Sequence, residues 1–165
     1  MDRVQPIVDR KTEVASRQSS VARWYAAVPA ILAGIAVAVP LLLHSTPALA
    51  FALERGFSLV CHQQVDRSFF LFGGSVAVCA RCLGIYLGAA LGLLTRISRS
   101  MAWRLFIAAI AVNAIDWLAE LAGLHGNWML MRFALGLALG ATGALLVMSS
   151  NAGQKPKFSF RSASL

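Results

Sequence analysis

Residues 75–94 read SVAVCARCLGIYLGAALGLL. Only Ser75, Arg81 and the Tyr86 hydroxyl interrupt an otherwise apolar run that carries two thiols, Cys79 and Cys82. Twenty residues of helix, at a rise of about 1.5 Å each, match the roughly 30 Å hydrocarbon core of a bilayer. The stretch therefore predicts a membrane helix with thiols and a guanidinium near its start.

Three further apolar runs lie outside it, at about 24–43, 102–121 and 128–148. The chain of 165 residues is 58% hydrophobic and 13% charged, with a mean hydropathy of +0.69. A soluble domain is nearer a quarter charged. The expected fold is one all-α, polytopic membrane bundle with four transmembrane helices spanning 24–149. Residues 1–23 and 150–165 are expected as flexible cytoplasmic tails. Residues 44–74 form an outer segment bearing Cys61, with an amphipathic helix at about 48–60 lying along the interface.

The net charge of +8 belongs to topology rather than to nucleic acid, because the basic residues flank the spans. Arg3, Arg10, Lys11, Arg17 and Arg23 precede the first run, and Arg96, Arg99 and Arg104 fall within 95–104, where the second run gives way to the third. Lys155, Lys157 and Arg161 follow the fourth, whereas residues 44–74 hold only Arg55 and Arg67. The positive-inside rule puts both termini in the cytoplasm and the cysteine segment outside. A multi-pass protein of a bacterial inner membrane is expected. No RNP, zinc-finger or helix-turn-helix pattern supports a nucleic-acid partner.

Ser45-Thr46-Pro47-Ala48-Leu49-Ala50 resembles a signal-peptidase site, and cleavage after Ala50 would leave three spans. The preceding apolar run is longer than a signal core of about 7–15 residues, so retention of the first span is expected.

Gly84, Gly88 and Gly92 recur every fourth residue, as do Gly136 and Gly140. Such stripes let helix backbones approach closely in lipid. They predict tight packing within the bundle, or a seam to a second copy or a larger membrane complex.

Charged groups inside spans are costly and need a reason. Arg81, Asp116 and Arg132 fall at one level, near the outer ends of their runs. Asp116 is expected to pair with Arg81 or Arg132, and Asn113, Asp116 and Glu120 share a stripe. Gln63, Asp66 and Arg67 are expected to orient the cysteine loop, and His125 to be a solvated turn residue.

All the cysteines, Cys61, Cys79 and Cys82, lie in a 22-residue stretch, with His62 beside the first. One reading is a Zn²⁺ or Fe²⁺ site on Cys61, His62, Cys79 and Cys82. The adjacency of Cys61 and His62 favours using one of them and leaving a coordination position open. A second reading is thiol redox linked to quinone, with Cys61 resolving a Cys79–Cys82 pair and Arg81 lowering a thiol pKa. A C-x-x-C inside a regular helix is strained as a disulfide. A third reading treats the cysteines as small apolar residues of a scaffold subunit. Hydrolase and nucleotidase motifs are missing from the sequence.

The strings Cys61-His62-Gln63, Arg67-Ser68-Phe69-Phe70 and Val78-Cys79-Ala80-Arg81-Cys82-Leu83-Gly84-Ile85-Tyr86-Leu87-Gly88 resemble a bacterial membrane family, domain of unknown function 2085. The resemblance covers about residues 55–145, in the pattern CHQ…RSFF…CARCxGIYxG. It implies an integral membrane protein whose signature is the cysteine motif, and it implies no activity.

Overall fold

The computed structural model of the chain describes residues 5–95, 97–124, 126 and 128–151. The tail from 152 onward, Arg96 and His125 lie outside the described residues. The described residues are mostly helical. The helices are α1 (Gln5–Ser45), α2 (Pro47–Ser58), α3 (Ala80–Leu93), α4 (Arg99–Leu121) and α5 (Met129–Asn151). A 3₁₀ turn (Val65–Arg67) and a two-stranded hairpin, β1 (Phe70–Leu71) and β2 (Gly74–Ser75), separate α2 from α3.

Among the described residues, three helical stretches are long and apolar enough to cross a membrane: Tyr25–Ser45, Arg99–Leu121 and Met129–Ser149. The fourth expected span, 75–94, is different. Its helix is only Ala80–Leu93, 14 residues, or about 21 Å. Residues 76–79 precede it as non-helical chain, with Val76, Ala77 and Val78 all buried. The cysteine pair is thus not inside a regular helix, because Cys79 is the N-cap residue of α3.

The first helix also departs from expectation. It starts at Gln5, so residues 5–23 continue the helix where a flexible tail was expected. That stretch holds no glycine, and its one proline, Pro6, stands in the first turn, where its missing N–H costs nothing. Further along, Pro40 does matter. A proline in a helix leaves the carbonyl four residues back without its usual donor. That carbonyl belongs to Ala36, and the backbone N–H of Ala77 donates to it at 3.2 Å. Gly74 sits against the Pro40 ring, where an added Cβ would come within 3.3 Å. The proline of α1 is therefore the dock for the chain that leads into Cys79.

A helix is present near the expected 48–60, as α2. Pro47 opens it, and Ala50 and Phe57 are buried. The core lies between α1, α2 and the chain entering α3, with Ala33, Ala36, Val39, Ala50, Phe57, Val76 and Val78 at its centre.

The glycine stripes face each other. A side chain on Gly84, Gly88 or Gly92 would strike the α5 backbone at Phe133, Leu137 or Ala141, and one on Gly136 or Gly140 would strike the carbonyls of Arg81 and Ile85. Contacts advance in the same direction along both helices, so α3 and α5 run parallel. α4 runs antiparallel to α5, since Asn113 Nδ2 donates to Leu135 O while Phe106 lies beside Gly143. This arrangement puts the starts of α3 and α5 beside the end of α4, where the polar residues gather.

Candidate metal and thiol centre

Cys61 follows α2, and the turn there is set by Gln63. Its backbone is left-handed (φ 48°), which a non-glycine residue adopts only when held. Its side chain supplies the hold. Nε2 donates to the carbonyls of Glu54 (2.7 Å) and Ala77 (2.8 Å), tying α2 to the chain just before Cys79. With Ala77 N–H fixed on Ala36, both peptide groups of Ala77 are engaged. Cys79 then arrives next to Cys61.

The backbone N–H of Cys79 donates to Cys61 Sγ at 3.2 Å. Cys82 lies in the first turn of α3. The three sulfurs lie within 4.8 Å of one another. Cys61 is buried, Cys79 and Cys82 are half-buried, and all three are free thiols. Hydrogen bonding from the Cys79 side chain, and next from Cys82, holds the Cys61 thiol well below the ordinary thiol range, against an opposing contribution from burial.

Three of the four expected ligands thus come together. The fourth, His62, is exposed and lines the same cavity, but it is not one of the clustered donors. Adjacent residues project their side chains differently, and here Cys61 takes the inward position. The cavity is about 330 Å³, and its walls include Gln63, Arg67, Arg81 and Arg132 besides the cysteines.

Beneath it lies an ion-pair network joining three helices and the loop. Arg81 NH2 on α3 meets Asp116 Oδ2 on α4 at 2.5 Å. Glu120 Oε1 on α4 accepts from Arg132 of α5 and, at 3.0 Å, from Arg67 of the 3₁₀ turn. Asp116 and Arg132 are each 5% exposed. Of the two partners considered for Asp116, the geometry selects Arg81. Glu120 emerges as the residue that pins the cysteine loop to the bundle, a role that its place on the α4 stripe did not disclose. Neither the Gln63 bridge nor the Pro40 dock has a motif. The proline inside an apolar helix was the available signal for the dock.

A zinc ion bound tetrahedrally at about 2.3 Å from each sulfur sets its thiolates about 3.8 Å apart. The observed cluster accommodates that spacing with small movements. Three thiols also leave one coordination position, and the cavity adjoins them.

An uncharacterized protein of Methanocaldococcus jannaschii is 38% identical over 102 residues, covering 57% of this chain and 65% of that protein. An uncharacterized protein of Methanothermobacter thermautotrophicus is 32% identical over 95 residues, covering 54% of this chain and 86% of that protein. Both relatives are archaeal, whereas a bacterial family was expected. No solved structure matches the chain. Residues 61–146, which hold the three cysteines and every glycine of the facing stripes, match the family described as predicted membrane protein (DUF2085), and the chain belongs to that family.

Proposed function

We propose that this membrane protein binds a metal ion, Zn²⁺ or Fe²⁺, through the thiolates of Cys61, Cys79 and Cys82. The observation that carries the reading is the convergence of three sulfurs, from two separate segments, within 4.8 Å. Soft thiolate donors suit these ions, and an open fourth position is the mark of a site that exchanges ligands. His62, on the wall of the same cavity, is the nearest candidate to complete the coordination. Gln63, Arg67, Arg81, Asp116 and Arg132 orient the ligands from outside the coordination sphere.

The site belongs in the outer leaflet of a four-crossing bundle. The parallel packing of α3 on α5 supports a crossing for α3, with the buried residues 76–79 completing its length. Non-helical chain at membrane depth is tolerated where it lines a protein cavity.

Elemental analysis of the purified protein beside thiol counting tests the reading. About one metal per chain, lost on Cys61→Ser or Cys82→Ser, is the expected result. Three titratable thiols with no bound metal, after preparation without chelator, would end it.

One observation favours a second reading, thiol redox. Cys79 caps α3 with extended backbone (φ −66°, ψ 159°), so the pair Cys79-Ala80-Arg81-Cys82 stands at a helix N-terminus rather than within a helix. That position stabilises a thiolate and removes the helical strain on a disulfide. In this reading Cys79 and Cys82 form a disulfide as two electrons and two protons pass to a quinone, giving quinol. A Cys79–Cys82 disulfide that appears with added quinone would select it over metal binding.

A further inference from the structure

The cavity beside the thiols holds more hydrogen-bond donors than the described acceptors engage. Arg67, Arg81 and Arg132 all line it, and each guanidinium carries five N–H donors. Against them stand Asp116 and a single oxygen of Glu120 shared by two arginines. Arg67 Nε and Arg81 Nε are buried with no hydrogen-bond acceptor. The carboxylate of Asp66 lies 3.8 Å from Arg67 Nε, beyond hydrogen-bonding distance. A buried donor left this way is unfavourable, so the cavity suits an acceptor oxygen from outside the chain.

A second cavity, about 360 Å³, shares Val60 with the first. Its walls are Leu32 and Ile35 of α1, Leu53 and Phe57 of α2, and Tyr86 of α3. Cys82 lines the first cavity and Tyr86, one helical turn further, lines the second. Gly56 also lies on this apolar wall, and a Cβ added there would meet nothing within 4 Å.

We propose that the two cavities together hold one phosphate-bearing membrane lipid, its phosphate among the arginines and one chain in the apolar groove. Bidentate guanidinium contacts are the usual means of holding phosphate. A water-soluble anion would use the arginines alone, and a neutral lipid the groove alone. The proposal goes beyond metal binding and does not depend on it.

Native mass spectrometry of the purified full chain in detergent tests this with three probes: phosphatidic acid, diacylglycerol with the same chains, and inorganic phosphate. Phosphatidic acid should bind at least about tenfold more tightly than diacylglycerol and resist displacement by an equal concentration of inorganic phosphate. Gly56→Phe, which adds a ring at a position where a Cβ meets nothing within 4 Å, should lower its retention about tenfold, and Arg67→Gln should do likewise. Equal retention of diacylglycerol, displacement by inorganic phosphate, or unchanged retention in folded Gly56→Phe would each overturn the proposal. Because the Gly56→Phe arm leaves every arginine in place, the test stands even if Arg67→Gln misfolds.

Discussion

The backbone N–H of Ala77 donates to the carbonyl of Ala36, 41 positions earlier, at 3.2 Å, and it can do so because Pro40 has no N–H to claim that carbonyl. One proline in α1 thereby fixes the approach of the chain to Cys79. Pro40→Ala restores an intrahelical donor and sets it in competition with Ala77. α1 itself should not weaken, since a proline inside a helix is unfavourable. The expected outcome is local: faster hydrogen exchange at Ala77 and thiol alkylation of Cys79 raised about tenfold, with little change in the melting temperature. Unchanged exchange and labelling would show that the carbonyl serves both donors.

The α3–α5 seam makes a sharper stability prediction. Gly88→Ala places a methyl group against the Leu137 carbonyl and the Ala141 backbone. Backbone cannot yield as a flexible side chain can, so the helices must separate, at a cost of about 1–3 kcal/mol. Gly34→Ala is the control. It meets nothing within 4 Å and, lying in α1, should be neutral or stabilising by up to about 1 kcal/mol. Unfolding in mixed micelles would compare the two. Equal stability would show that the seam is looser than its contacts indicate.

Glu120 holds two guanidiniums, one from the cysteine loop and one from α5. Glu120→Gln leaves Arg132, 5% exposed, without its counter-charge, and breaking a buried pair costs about 3–5 kcal/mol. It also releases Arg67, so loss of stability should come with faster alkylation of Cys61. Asp66→Asn is the contrast, because the Asp66 side chain is 70% exposed and surface pairs contribute about 0–1 kcal/mol. Thermal melts with timed thiol labelling would separate the two variants.

These predictions lean on contacts that were unequally legible in the sequence. The long apolar runs announced α1, α4 and α5, and the charges at matching depth announced a partner for Asp116, which is Arg81, but not that Arg132 would pair with Glu120. The run 75–94 misled, because hydropathy counts apolar residues without knowing which backbone donors are already taken. Residues 76–79 stay non-helical since Ala77 is bonded to Ala36 and Gln63, partners 41 and 14 positions away. Those long-range bonds move the helix start to Ala80 and turn two thiols expected within a regular helix into a helix cap and its first turn. The equal weight given to Cys61 and His62 had a similar origin, since adjacency in sequence says nothing about which side chain turns inward.

The position of Cys61 gives a pH dependence whose sign is fixed. Hydrogen bonds from Cys79 and then Cys82 hold its thiol below the ordinary value of 9.0. In the unfolded chain the proton is retained until that ordinary value is reached. The unfolded state therefore binds more protons at neutral pH, and stability rises as pH increases from neutrality toward about 9. The contribution is lost as pH falls through the lowered folded value. In chelator-treated protein the slope above neutrality should approach one proton, at most about 1.4 kcal/mol per pH unit, and Cys61→Ser should remove it. Thiolate absorbance in the ultraviolet gives an independent reading: wild type should show ionised thiol at neutral pH, and Cys61→Ser should lose that signal. A flat stability profile with no thiolate signal at neutral pH would mean that the proton stays within the cysteine cluster, and the site would then have to lose all three protons when a metal ion binds.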